Sequence, residues 1–188
     1  MLTVYPAISM KKTSLPIGEL GLIEQIRRDF ATSSSAVKLG IGDDCAILRP
    51  PPESEVLVTT DFTLENRHFR RDTHPPESVG HRCLARGLSD LAAMGATPLA
   101  AFLSLALPND PVNNPRFLDR FLTGLLALAR EHHTTLAGGD TSQSPSNQVL
   151  ADITLLGVAP RNRALRRSAS KLAGDVERVS RLRSRPTQ

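Results

Sequence analysis

The chain has 188 residues, 40% of them hydrophobic, with 12 Gly and 14 Pro, a length and composition that suit one folded domain with tails. Aromatics make up 4% and Trp is absent, which argues against a stacking platform for single-stranded nucleic acid, and no apolar run approaches the ~20 residues of a membrane helix. The net charge of +4 is carried by residues 161–188, where nine Lys/Arg stand against Asp175 and Glu177, leaving an acidic body.

In chain order, the spacing of Leu22, Ile23, Ile26 and Phe30 predicts a helix over 18–30. A polar loop follows at 32–37. Segment 38–48 then places Asp43 and Asp44 between apolar flanks, and Pro50-Pro51-Pro52 turns the chain. Val56 to Thr60 reads as a strand ending at Asp61. A long connection, 62–77, contains Glu65, His68 and Pro75-Pro76. Residues 78–94 read as a helix, with Ser78 as its N-cap and Gly95 as its stop. Residues 99–107 read as an apolar strand, 116–132 as an amphipathic helix, 134–137 as a short strand running into Gly138-Gly139-Asp140, and 150–158 as a final strand. Alternating strands and helices predict an α/β (α+β) layer with a mixed sheet packed by helices.

Cys45 and Cys83 have no CxxC spacing and read as reduced core thiols, which fits a cytoplasmic protein. The lysines of the opening MLTVYPAISMKK follow its apolar stretch, the wrong order for a signal peptide. Met10 is an alternative start. The expected organisation is an N-terminal extension over 1–17, one domain over 18–160 and a basic tail over 161–188.

Asp43, Asp44, Asp61, Asp90 and Asp140 each sit inside or just past an apolar segment, where a carboxylate is costly unless paired or metal-bound. Thr59, Thr60 and Thr141 add hydroxyl oxygens beside them. Such hard oxygens suit Mg²⁺, though caps, turns and surface charges explain single aspartates equally well. Gly138-Gly139 would let backbone approach a phosphate or simply make a tight turn. No P-loop motif is present, and no GxGxxG follows a strand. His132-His133 reads as a helix C-terminus.

The segments GELGLI (18–23), GIGDDCAIL (40–48), VTTDFTLENRHF (58–69), LARGLSDLAAMGATP (84–98), LSLALP (103–108), LAGGDTS (136–142) and LRRSASKLAGD (165–175), in this order, resemble the thiamine-monophosphate kinases. That family belongs to the superfamily of aminoimidazole ribonucleotide synthetase and selenophosphate synthetase. The resemblance implies the N-terminal domain of that fold and ATP-dependent phosphorylation of thiamine monophosphate to thiamine diphosphate. It further implies that Asp44, Thr59, Thr60, Asp61, Asp90 and Asp140 ligate several Mg²⁺ ions and that Asp43 supports them. By the same resemblance Gly139, Asp140 and Arg167 contact ATP, His68 contacts thiamine monophosphate, and the domain forms a homodimer without nucleic-acid or membrane partners. No side chain is assigned as acid, base or nucleophile, because a phosphate oxygen is already anionic and phosphoryl transfer rests on positioning and charge neutralisation.

Some positions depart from the family's pattern. Asn66-Arg67 stands for Gly-Val, Arg86-Gly87 for Val-Asn, and the stretch from Arg167 to Asp175 is one residue longer. After Asp175 the family's apolar strand and second domain are not recognisable, so 176–188 reads as a tail from a frameshift or early end, with a solvated basic helix as the alternative. Alternatives are another ATP-dependent synthetase of the superfamily, and a non-catalytic fragment that dimerises or binds nucleotide.

Overall fold

The computed structural model describes residues 36–110 and 114–167. The helix expected over 18–30, the domain's first residues and most of the basic tail lie outside them. The described elements are β1 (Val37–Leu39), β2 (Ile47–Leu48), β3 (Ser54–Leu64), α1 (Pro76–Ala93), β4 (Thr97–Leu107), α2 (Asn114–Glu131), β5 (Thr135–Gln143) and β6 (Leu150–Pro160).

The main sheet is four-stranded in the order β3-β6-β4-β5. β6 runs antiparallel to both β3 and β4, while β4 and β5 are parallel. A parallel pair needs a long crossover, and α2 supplies it. The sheet is therefore mixed and packed with helices, as expected from the sequence.

Alternation along β3 and β6 decides which face the helices cover. Thr63 on β3 and Ala151, Ile153 and Leu155 on β6 are buried on one face, with Ala101, Leu103 and Leu105 of β4 in the same cluster. α1 contributes Cys83, Leu84 and Leu91 to it, and α2 contributes Phe121, Leu122 and Leu125. Phe121, Leu125, Ile153 and Leu155 are fully buried, each stabilising the fold by about 1.5–3 kcal/mol. On the opposite face, the short β1–β2 pair covers one end, where Val37, Ala46 and Leu48 pack on Leu99, Ala100 and Ala137. Away from that cover Val56, Val58 and Phe62 of β3 remain exposed.

Boundaries differ from the sequence reading where local signals are weak. α1 starts at Pro76 with Pro75 at its N-cap, and no side chain caps it. Ser78 lies inside the first turn instead, because Pro at the first helical position is already set for the helical φ. Gly95 ends α1 at φ 70°, as expected. α2 ends at Glu131, and His132 and His133 make the turn beyond it. Residues 161–165 run back along the body through Arg161 N–H to the Glu53 carbonyl (3.0 Å) and Leu165 N–H to the Met94 carbonyl (2.9 Å). No helix among the described residues is long and apolar enough to cross a membrane.

Candidate functional site

Two corrections set the geometry. β3 continues through Asp61 to Leu64, and β5 continues through Asp140 to Gln143. Neither aspartate stands at a strand end. Nor is Gly138-Gly139 a turn: both lie inside β5, pressed against β4. A Cβ on Gly138 would lie 3.0 Å from the Phe102 ring, and one on Gly139 would lie 1.9 Å from the Leu103 carbonyl oxygen. Gly139 also holds φ +154°, at the edge of the range that favours glycine.

At the β5 edge of the sheet, loop 41–46 folds over the strand and encloses a cavity of about 830 Å³. Asp43, Asp44, Gly139, Asp140 and Thr141 line it together with Ser104 and Phe102, while Leu118 and Leu122 of α2 form its apolar wall. Gly42, at φ 124°, bends the loop in a conformation that side chains disfavour. Asp43 and Asp44 are exposed, and the Asp43 carboxylate accepts the Asp44 N–H at 2.9 Å. Cys45 is exposed in this loop, which corrects its assignment to the core. Cys83 is buried.

The other expected ligands lie elsewhere. Thr59 and Asp61 face α1. The Thr59 hydroxyl donates to Asp90 Oδ2 at 2.6 Å, and Arg86 Nη2 donates to Asp61 Oδ1 at 2.6 Å. Thr60 points to the opposite face and donates to Asp152 on β6 at 2.9 Å. The structure thus brings Asp43, Asp44 and Asp140 to one cavity and Thr59, Asp61 and Asp90 to the β3–α1 seam. Among the described residues no three His, Cys, Asp or Glu side chains are grouped closely enough to hold a metal ion by themselves. The single metal cluster implied for all six ligands is not assembled in this arrangement.

His68 sits in the turn after β3. Its Nδ1 accepts the Leu64 N–H at 2.9 Å, which leaves Nε2 to carry the proton of the neutral ring. Desolvation lowers its pKa from the ordinary value, and the charges of Arg86, Arg82 and Arg67 lower it further. Arg82 also donates to the His68 carbonyl at 2.9 Å. Arg167 is exposed at the end of the described chain, outside the cavity lining.

Glu65, buried behind this turn, anchors it. One carboxylate oxygen accepts from Arg71 Nε (2.7 Å) and the other from the Val149 N–H (2.8 Å). Sequence reasoning passed over Asp152 and the pairing of Arg86. The alternation of β6 does put Asp152 and Thr154 on one face, whereas nothing local to Arg86 names Asp61 as its partner.

The family model for the AIR synthase related protein, N-terminal domain, matches residues 42–159. The thiamine-monophosphate kinase of Synechococcus elongatus is 41% identical over 131 residues, covering 70% of this chain and 39% of that protein. That of Salmonella typhimurium is 39% identical over 154 residues, covering 82% and 45%. The crystal structure of thiamine-monophosphate kinase from Stenotrophomonas maltophilia superposes with a TM-score of 0.62 at 38% identity, covering 71% of this chain and 40% of that one. AaThiL complexed with AMPPCP and TMP superposes with a TM-score of 0.58 at 29% identity, covering 87% and 48%. The chain spans less than half the length of these relatives.

Proposed function

Since the chain belongs to the AIR synthase related family by its N-terminal domain, we propose that it supplies the nucleotide-binding half of an enzyme that transfers the γ-phosphoryl group of ATP to thiamine monophosphate, giving thiamine diphosphate. One observation carries this reading. The Asp43-Asp44 loop and the Gly139-Asp140-Thr141 segment, far apart in sequence, line a single cavity in a chain similar to thiamine-monophosphate kinases.

The cavity's donor set fits magnesium polyphosphate. Mg²⁺ keeps several waters and takes substrate phosphates, so one or two carboxylates are enough to hold it. Asp44 and Asp140, supported by Asp43, would hold the ion, which would offset the repulsion between two polyanions. Gly139 would let β5 run close under the phosphates, and Arg167 would add a positive contact. His68, neutral and with Nε2–H free to donate, would contact thiamine monophosphate. The Thr59, Asp61 and Asp90 side of the proposed ligand set, with Thr60 beside it, is engaged in its own hydrogen bonds and ion pair, and does not fit a metal ion as it stands.

The exposed Val56, Val58 and Phe62 support a homodimer in which a second copy covers this face of the sheet. Free Cys45 and Cys83 support a cytoplasmic location.

Product formation from ATP and thiamine monophosphate tests the reading, using this chain joined to the portion of a thiamine-monophosphate kinase that it does not match. The expected result is metal-dependent thiamine diphosphate, with little or none from the 188-residue chain alone. A folded joined protein that binds nucleotide but forms no product would reduce the assignment to a nucleotide-binding domain.

A further inference from the structure

The turn after β3 fixes one side of the His68 ring and leaves the other available. Asn66 N–H donates to the Phe69 carbonyl and His68 N–H to the Leu64 carbonyl, each at 2.8 Å, and Asn66 takes the left-handed φ of 64° that Asn tolerates in turns. The ring is held from behind through Nδ1, which accepts the Leu64 N–H at 2.9 Å. Nε2–H is left as the ring's donor. Positive charge surrounds it. Arg82 and Arg86 stand one turn apart on α1 and share a face. Arg82 Nη1 reaches the His68 carbonyl at 2.9 Å, and Arg86 Nη2 reaches Asp61 at 2.6 Å. Arg67, beside His68 on the turn, is exposed. Among the described residues neither Arg67 nor Arg82 has a carboxylate partner. The charges acting on the ring are thus three guanidiniums against the one carboxylate of Asp61.

We propose that His68 and the arginines around it seat the phosphomonoester of the acceptor, so that thiamine monophosphate lies with its phosphate on this turn and its cationic thiazolium ring directed away. The inference rests on the reading of the chain as part of a thiamine-monophosphate kinase and says which end of the acceptor His68 meets. A thiazolium placed here would set one more cation against three, and like charges repel. A neutral pyrimidine would leave the excess charge uncompensated. A phosphate dianion compensates it and accepts from Nε2–H and from guanidinium N–H groups, which are the stronger, charge-assisted kind of hydrogen bond. Arg67 has no carboxylate to give up on binding. It therefore sets the preference for the phosphorylated acceptor over the unphosphorylated one.

The test follows the His68 ring resonances of the full chain by NMR at fixed pH, without metal, during titrations with inorganic phosphate, thiamine monophosphate, thiamine and a non-hydrolysable ATP analogue. Inorganic phosphate and thiamine monophosphate should shift the ring to saturation, and thiamine should bind far more weakly. Arg67→Val, at an exposed position that leaves the fold intact, should weaken phosphate by roughly threefold, the scale of an exposed ion pair. Arg67→Glu should weaken it further, and Arg67→Lys should stay near the parent. Added salt should weaken phosphate binding in the parent more than in Arg67→Val. A ring unmoved by phosphate overturns the proposal, as does equal phosphate affinity in the parent, Arg67→Val and Arg67→Glu. Thiamine binding at His68 as tightly as its monophosphate overturns it too. A ring that answers to the ATP analogue and not to thiamine monophosphate gives the anion site to the nucleotide and overturns the acceptor assignment. The kinase reading is decided separately by the joined protein: product formed with a ring indifferent to phosphate removes this inference alone, and a ring that binds phosphate without product removes the reading and leaves only an anion site.

Discussion

Gly80 and Gly124 mark the closest approach of α1 and α2. A Cβ on Gly80 would lie 1.9 Å from the Phe121 carbonyl oxygen, and one on Gly124 would lie 1.9 Å from the Glu77 carbonyl oxygen. Both contacts are with backbone, which cannot rotate away as a side chain would. Gly80→Ala and Gly124→Ala should each destabilise the fold by about 1–3 kcal/mol, the usual cost of overpacking. That cost would exceed the gain Ala brings to a helix interior. The double variant should cost less than the two single costs added together, because one helix displacement relieves both contacts. Urea midpoints of the three variants are the check, and an unchanged midpoint for either single variant contradicts the packing described.

The two thiols should differ sharply in reactivity. Burial pushes the Cys83 thiol up to about 12. Since the thiolate is the reactive species, Cys83 should resist a thiol reagent at pH 8 until the chain unfolds. Cys45, exposed in the cavity loop, should react at once. A magnesium complex of a non-hydrolysable ATP analogue should slow Cys45 by covering the loop. Two fast thiols in the folded chain, or a Cys45 rate indifferent to nucleotide, would contradict this picture.

His68 gives a pH dependence whose sign follows from its surroundings. Desolvation first, then Arg86, Arg82 and Arg67, place its folded-state pKa below the ordinary 6.5. The unfolded chain therefore binds more protons than the folded one between those two values, and stability rises with pH across that window. The contribution is fully present above 6.5 and is lost as pH falls toward the folded value. An NMR titration of the ring should give a midpoint below 6.5, and Arg86→Gln should move it upward. A midpoint at or above 6.5 in the folded chain would show that the arginines do not act on the ring.

Much of the fold was legible because its elements carry strong periods. The alternation of 150–158 and the apolar run of 99–107 fall inside β6 and β4, and the stripe over 116–132 matches α2 to within two residues at its start. Asp61 and Asp140 were misjudged as strand ends because polar and glycine residues read as punctuation. β3 tolerates Thr59 and Asp61 on its covered face because α1 offers Asp90 and Arg86 opposite them, and these partners are distant in sequence. β5 tolerates Gly138-Gly139 because β4 lies too close for a side chain. The shared cavity of Asp44 and Asp140 follows from the folding of loop 41–46 over β5, which no local pattern encodes. The Arg86–Asp61 pair was hidden for the same reason, although Arg86 itself stood out as a departure from the family's pattern.

Neighbouring substitutions in β5 separate chemistry from architecture. Asp140 is exposed and lines the cavity. Asp140→Asn keeps the shape and removes the charge, so stability should change by less than about 0.5 kcal/mol, as at most surface positions. Affinity for the magnesium complex of an ATP analogue should fall at least about tenfold, since even groups that merely support a metal ligand are worth that much. Gly139→Ala should do the reverse at first order. Its Cβ would meet the Leu103 carbonyl oxygen at 1.9 Å and the Leu103 nitrogen at 2.9 Å, so β5 must move away from β4 at a cost of about 1–3 kcal/mol. Any loss of nucleotide affinity in Gly139→Ala should then follow from displacement of Asp140, and adding Asp140→Asn on top should cost little further binding. Calorimetric titration with the analogue, beside thermal unfolding of the same samples, measures both quantities. Asp140→Asn binding as tightly as the parent would remove this carboxylate from the site, whatever the stability of Gly139→Ala.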